Sequence, residues 1–103
     1  MSNCLVAVDD RIVGYLLADA TAHEGGTAGL VRLYVRPERW GEGIGSRLLE
    51  GVEARLDADR LRLGVMAPNE RAVGFYRDRG FERVDAVYDD ELDATALIME
   101  KAL

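Results

Sequence analysis

The sequence predicts one α/β domain over residues 1–103, its elements in the order βββαβαββ, with a mixed, mostly antiparallel sheet carrying helices on its faces. Three observations predict it. Short apolar runs separated by turn residues fill the first 35 positions, an amphipathic helical pattern follows directly on a strand and a glycine turn, and a second strand and helix lead into two more strand-like pieces. A chain of 103 residues with 49% hydrophobic and 31% charged residues and two prolines suits a compact fold, not a disordered or collagen-like one.

From Asn3 to Asp19, NCLVAVDDRIVGYLLAD is two apolar runs around Asp9, Asp10 and Arg11, the pattern of a hairpin with a tight polar turn. ATAHEGG, residues 20–26, reads as a loop, and TAGLVRLYV as a third strand. Pro37 ends that strand. Ile44, Leu48, Leu49, Val52 and Leu56 then recur at spacings of three and four, which predicts a helix to about Ala58. LRLGVMA from Leu61 is expected to be a buried parallel strand, closed by Pro68 and Asn69 before a second helix over about Glu70 to Arg79, with Gly80 past its end. FERVDAVY and TALIMEKAL are the last strands, joined by a solvated acidic turn at Asp89, Asp90, Glu91 and Asp93.

Charge and cysteine count narrow the function. Thirteen basic against 19 acidic residues give a net charge of −6, which repels nucleic-acid phosphates, so no nucleic-acid partner is expected. One cysteine, Cys4, forms no internal disulfide and reads as a small buried hydrophobe. The start MSNCLVAVDDR is too short in apolar residues for a signal segment, and no window approaches a membrane span. A cytoplasmic protein with no membrane partner and no metal is expected.

The chemistry concentrates in LYVRPERWGEGIGSRLLEGV, Leu33 to Val52, where a strand ends and Gly41, Gly43 and Gly45 open a helix. Free amides there, with the helix dipole behind them, can cradle phosphate without a cationic side chain. Taken alone, an ordinary glycine-rich helix start accounts for the same pattern. No Gly-Lys-Ser/Thr follows, and GEGIGS lacks the third glycine of the dinucleotide fingerprint, so two common nucleotide loops drop out.

With NERAVGFYRDRGF, Asn69 to Phe81, this stretch resembles the GNAT acetyltransferase family, the acetyl-CoA-dependent N-acetyltransferases. LYVRPERWGEGIGSRLL is similar to the family's pyrophosphate motif, Gln/Arg-x-x-Gly-x-Gly/Ala, and the second stretch to a motif with Asn, Ala, Phe-Tyr and Gly-Phe in register. The resemblance implies an acyl-CoA N-acyltransferase-like fold and transfer of acetyl from acetyl-CoA to a primary amine, on a small molecule or a protein lysine or N-terminus, by direct attack in a ternary complex. It places the pantetheine arm along the backbone of Leu33, Tyr34 and Val35, the pyrophosphate on the amides of Gly41, Glu42, Gly43, Ile44, Gly45 and Ser46, and Asn69 on the cofactor's arm. Tyr76 would protonate the leaving thiolate, a proton a phenol can deliver. Without the resemblance, Tyr76 reads as a core aromatic beside Phe75, and Asn69 as a helix N-cap.

The sequence departs from the family pattern in several places. Trp40 stands where Gln or Arg is usual, and reads as a packing or rim residue. The strand and two helices that usually precede the first hairpin, and often wall the acceptor, are absent from this sequence, which points to a homodimer or an open acceptor site, with TALIMEKAL suited to pairing between copies. Gly64 stands where amine-terminus acetylating members carry a glutamate that relays the amine's proton; His23, Glu24 or water are the alternatives. Arg60, Arg62, Arg77, Arg79 and Arg83 either meet a cofactor phosphate or balance the acidic surface. A non-catalytic acyl-CoA-binding or regulatory module is the second reading, and a ligand-free structural partner the third.

Overall fold

The computed structural model describes residues 2–19 and 26–103 and shows the element order βββαβαββ that the sequence predicts. The chain divides into two compact units, residues 1–59 and 60–103.

The first unit holds β1 (Ser2–Asp9), β2 (Arg11–Asp19), β3 (Thr27–Val35) and α1 (Ile44–Arg55). β1 and β2 form the expected antiparallel hairpin with Asp9 opposite Arg11, and Asp10 turns it at φ 62°, a conformation aspartate tolerates better than most residues. β2 pairs antiparallel with β3, setting Gly14, Tyr15 and Leu16 opposite Val35, Tyr34 and Leu33. Ile44, Leu48, Leu49 and Val52 bury the apolar stripe of α1, and Val13, Leu16, Ala18, Ala28 and Leu30 complete the core of this unit.

The sequence places the end of α1 near Ala58, but the helix stops at Arg55, and Leu56 is already extended at ψ 131°. The reason is tertiary. The Asp59 N–H donates to the Gly26 carbonyl at 2.7 Å, so the chain leaves the helix early to reach the start of β3. Gly26 itself sits at φ +76°, where a Cβ would fall 2.7 Å from Asp59 Oδ2.

The second unit holds β4 (Arg60–Met66), α2 (Glu70–Asp78), β5 (Glu82–Asp89) and β6 (Ala94–Ala102). β6 lies between β4 and β5, antiparallel to both. Leu61, Leu63, Val65, Val73, Phe81 and Met99 are its buried apolar residues. β4 alternates buried and more exposed residues where a strand covered on both faces was expected, because its second face carries Arg60, Arg62 and Gly64. Arg62 Nε donates to the buried Glu100 carboxylate at 2.6 Å, and Arg60 lies 3.6 Å from it. These two arginines are thus engaged by the fold, as is Arg79, which bonds the Phe75 carbonyl and stacks 3.8 Å from its ring. TALIMEKAL, with a partner strand on each side, offers no open edge; β5, exposed from Glu82 to Tyr88, does.

Candidate functional site

The turn between β3 and α1 begins with a single 3-10 turn, Pro37–Arg39, opened by a proline whose fixed φ suits that position. Gly41 and Gly43 follow at φ +86° and +82°, where an L side chain costs about 1–2 kcal/mol. A Cβ added at either meets nothing within 4 Å. Backbone conformation, not crowding, selects glycine here, and the space over the turn is open.

Gly43 is the N-cap of α1 and has no side chain to cap with; the first helical bond runs from Arg47 N–H to its carbonyl at 3.0 Å. Among the described residues, the N–H groups of Gly43, Ile44 and Gly45 have no acceptor, and no acidic side chain occupies the first turn. Orphan donors at the positive end of a helix dipole suit an anion with several oxygens. The residues present therefore fit a pyrophosphate.

The side chains of Arg39, Glu42, Asp9 and Trp40 fix this turn. Arg39 Nε lies 2.9 Å from both oxygens of Glu42, and its Nη1 lies 3.1 Å from Asp9. The Glu42 hydrogen bond is the largest cause holding the Arg39 pKa above its ordinary value. The latch turns the one carboxylate of the glycine turn onto a cation. Trp40 donates its indole N–H to the Val35 carbonyl at 2.8 Å, closing the turn onto the end of β3. Of the backbone groups expected to align the pantetheine arm, the Val35 carbonyl is thus taken by Trp40. Gly14, opposite Val35, admits no Cβ, since one would fall 2.8 Å from the Tyr34 carbonyl.

In the second unit, Asn69 caps α2, its side-chain oxygen accepting from Ala72 N–H at 3.2 Å. The cap uses Oδ1 and leaves the amide Nδ2 out of that bond, so capping and a contact to a cofactor arm are compatible. The far end of α2 closes with Gly80 at φ +97°. Gly80 N–H donates to Arg77 and Phe81 N–H to Tyr76, both at 3.1 Å, the paired bonds of a Schellman ending. Tyr76 lies 5.2 Å from the Phe75 ring and 5.5 Å from the Phe81 ring, edge-on to each. Burial pushes its phenol pKa above the ordinary tyrosine value, so the group keeps its proton at neutral pH.

Leu33, Tyr34, Val35 and Gly41 to Ser46 thus form one continuous stretch of the first unit, whereas Asn69 and Tyr76 belong to the second. His23 and Glu24 lie outside the described residues. Gly64 is exposed, and a Cβ there would make only ordinary contact with Ile98, at 3.8 Å. Cys4 is exposed, not buried as expected: its neighbour Leu5 points at Gly51 of α1, so strand alternation turns Cys4 outward. Asp89 accepts from the N–H groups of Glu91 and Leu92, ordering the acidic turn, and among the described residues no three His, Cys, Asp or Glu side chains converge. The Arg39–Glu42 latch was legible as a charge pair three residues apart. The Trp40–Val35 bond had no sequence signal.

The chain matches the model of the acetyltransferase (GNAT) family over residues 2–81. It is 34% identical over 70 residues to the peptidyl-lysine N-acetyltransferase YiaC of Escherichia coli (strain K12), a match covering 68% of this chain and 47% of that protein. The chain therefore spans about half the length of that curated relative. The crystal structure of the PaiA N-acetyltransferase of Thermoplasma acidophilum in complex with coenzyme A superposes with a TM-score of 0.82 and 28% identity, covering 99% of this chain and 61% of that one. The ribosomal-protein-S18-alanine N-acetyltransferase of Escherichia coli shares the fold, with a TM-score of 0.82 and 20% identity over 98% of this chain and 68% of that one.

Proposed function

The chain belongs to the GNAT acetyltransferase family, and from that premise we propose that it transfers the acetyl group of acetyl-CoA to a primary amine by direct attack in a ternary complex. The observation that carries this reading is the turn opening α1, with Gly41 and Gly43 at positive φ, no side-chain cap, and the N–H groups of Gly43, Ile44 and Gly45 without acceptors among the described residues. Acetyl-CoA, when bound, supplies a thioester carbonyl and a thiolate leaving group.

The amides of Gly41, Glu42, Gly43, Ile44, Gly45 and Ser46 hold the pyrophosphate. The backbone of Leu33, Tyr34 and Val35, apart from the Val35 carbonyl held by Trp40, aligns the pantetheine arm in the manner of an added strand. The Asn69 Nδ2 group bonds the same arm. Tyr76 Oη holds the proton that the departing sulfur requires, and the raised phenol pKa supports that role because it keeps the acid loaded. Gly64 supplies no carboxylate, so the proton of the attacking amine passes to water.

The acceptor is a primary amine of a small molecule or protein, in keeping with the lysine-directed relative. We place residues 1–103 as one catalytic domain, acting in the cytoplasm as a homodimer whose exposed β5 edge suits strand pairing. The experiment is thiol release from acetyl-CoA on addition of a panel of primary amines. Amine-dependent release is expected; tight acetyl-CoA binding with no release to any amine would instead make the chain a non-catalytic acyl-CoA-binding module.

A further inference from the structure

The sheet of the first unit has one face toward α1 and an opposite face that is buried at Val13 and at the start of β3 but exposed at Cys4, Val6, Arg32 and Tyr34. Leu5 and Gly14 face α1: a Cβ on Gly51 would fall 2.9 Å from Leu5 Cδ1, and one on Gly14 would fall 3.4 Å from Ile44 Cγ2. Strand alternation therefore sends Cys4, Val6, Tyr15, Leu17, Arg32 and Tyr34 to the opposite face. The register sets them in two cross-strand rows, Val6, Tyr15 and Tyr34 in one, Cys4, Leu17 and Arg32 in the other.

Tyr15 and Tyr34 stand with ring centroids 5.8 Å apart at 37°, and Tyr34 is 45% exposed. Arg32 reaches across the strands to this pair, its Nη1 3.5 Å from the Tyr15 hydroxyl. Arg11, Arg36 and Arg39 of the same unit each lie within 4 Å of a carboxylate. Arg32 is different: among the described residues its one polar partner is a phenol. An exposed guanidinium fork on an apolar, aromatic face is matched in shape and charge by a carboxylate.

We infer that this face is the acceptor platform, and that Arg32 with the Tyr15–Tyr34 pair selects peptide amines with an acidic residue two positions away. The inference rests on the proposed acetyl transfer, because Tyr34 lies within the segment assigned to the pantetheine arm. Arg32 is two residues back along β3, roughly 7 Å, the spacing of same-face residues in an extended peptide, so the acidic side chain it meets lies two residues from the amine. Tyr34 and Tyr15 supply the flat surface on which such a peptide lies. The net charge of −6 acts in the opposite sense, steering cations toward the protein at long range. The residue at that position therefore distinguishes local selection by Arg32 from steering by the whole surface.

The test measures kcat/KM for acetyl transfer by the full chain to peptides identical except for Glu, Gln or Lys two residues from the amine. The Glu peptide is expected to exceed the Gln peptide roughly tenfold, the scale of a hydrogen-bonded charge pair. Arg32→Gln should bring the two within about twofold with the KM for acetyl-CoA unchanged, and Arg32→Glu should favour the Lys peptide. Equal rates for the Glu and Gln peptides, or a preference that survives Arg32→Gln, overturn the inference while leaving acetyl transfer standing. Transfer to none of the peptides, with transfer to simple amines retained, overturns it as well. Transfer to no amine of any kind overturns the proposed activity, and the inference with it.

Discussion

The Phe81 ring packs edge-on against Tyr76, 5.5 Å between centroids, directly across the bond from Phe81 N–H to the Tyr76 carbonyl. One helix ending thus sets both the backbone and the ring of the candidate acid. The contact between these two positions is the apolar clasp that accompanies a Schellman ending. Here it also contributes to the burial that raises the phenol pKa.

Tyr76→Phe keeps the ring packing and removes the proton. It should lower kcat about 100-fold or more, the ordinary range for a general acid, with acetyl-CoA affinity within about twofold of the native value. Steady-state kinetics with a calorimetric titration separates the two quantities. Equal losses in both would refute the acid assignment.

The pH dependence has a definite sign. Burial disfavours the phenolate, so the protonated, working form of Tyr76 persists above the pH at which a free tyrosine ionises. The alkaline limb of the kcat profile should fall only above about pH 10. Tyr76→Phe should abolish that limb; a limb that survives the substitution belongs to another group.

Gly80→Ala places a Cβ at φ +97°, with Lys101 Cε 3.4 Å away. A cost of about 1–2 kcal/mol is expected, lowering Tm by several degrees in a chain of this size. Thermal denaturation followed by circular dichroism measures it. An unchanged Tm would mean that the ending of α2 relaxes without the left-handed residue.

Trp40→Phe keeps an aromatic ring on the turn and deletes the indole donor to the Val35 carbonyl. The expected loss is about 1 kcal/mol of stability, together with a severalfold rise in the KM for acetyl-CoA as the turn loosens from β3. Denaturant unfolding and kinetics check the two arms. A rise in KM without any loss of stability would instead place the indole on the ligand.

Most of the fold was legible because its signals are local. Apolar spacing gave the stripe Ile44, Leu48, Leu49 and Val52, and the Asp-Asp-Arg turn gave the first hairpin. What escaped depends on distant partners. The end of α1 is set by the bond from Asp59 to Gly26, 33 residues apart, and nothing in LDAD itself stops a helix. The candidate turn was visible through its glycines, since positive φ leaves a mark on residue choice. The Tyr15–Tyr34 pair left none, because pairing across strands depends on a register that a single strand does not encode.

In the proposed reaction the turn Gly41–Ser46 holds the pyrophosphate of acetyl-CoA. A calorimetric titration of acetyl-CoA into the native protein and Gly43→Val tests it most directly, because a Cβ there meets nothing within 4 Å, so the substitution acts through the strain of φ +82° on the turn's backbone and through the space it fills above it. One site per chain is expected in the native protein and a loss of affinity of tenfold or more in the variant, with the fold intact by circular dichroism. Equal affinity in both proteins, or no binding by the native one, would contradict it.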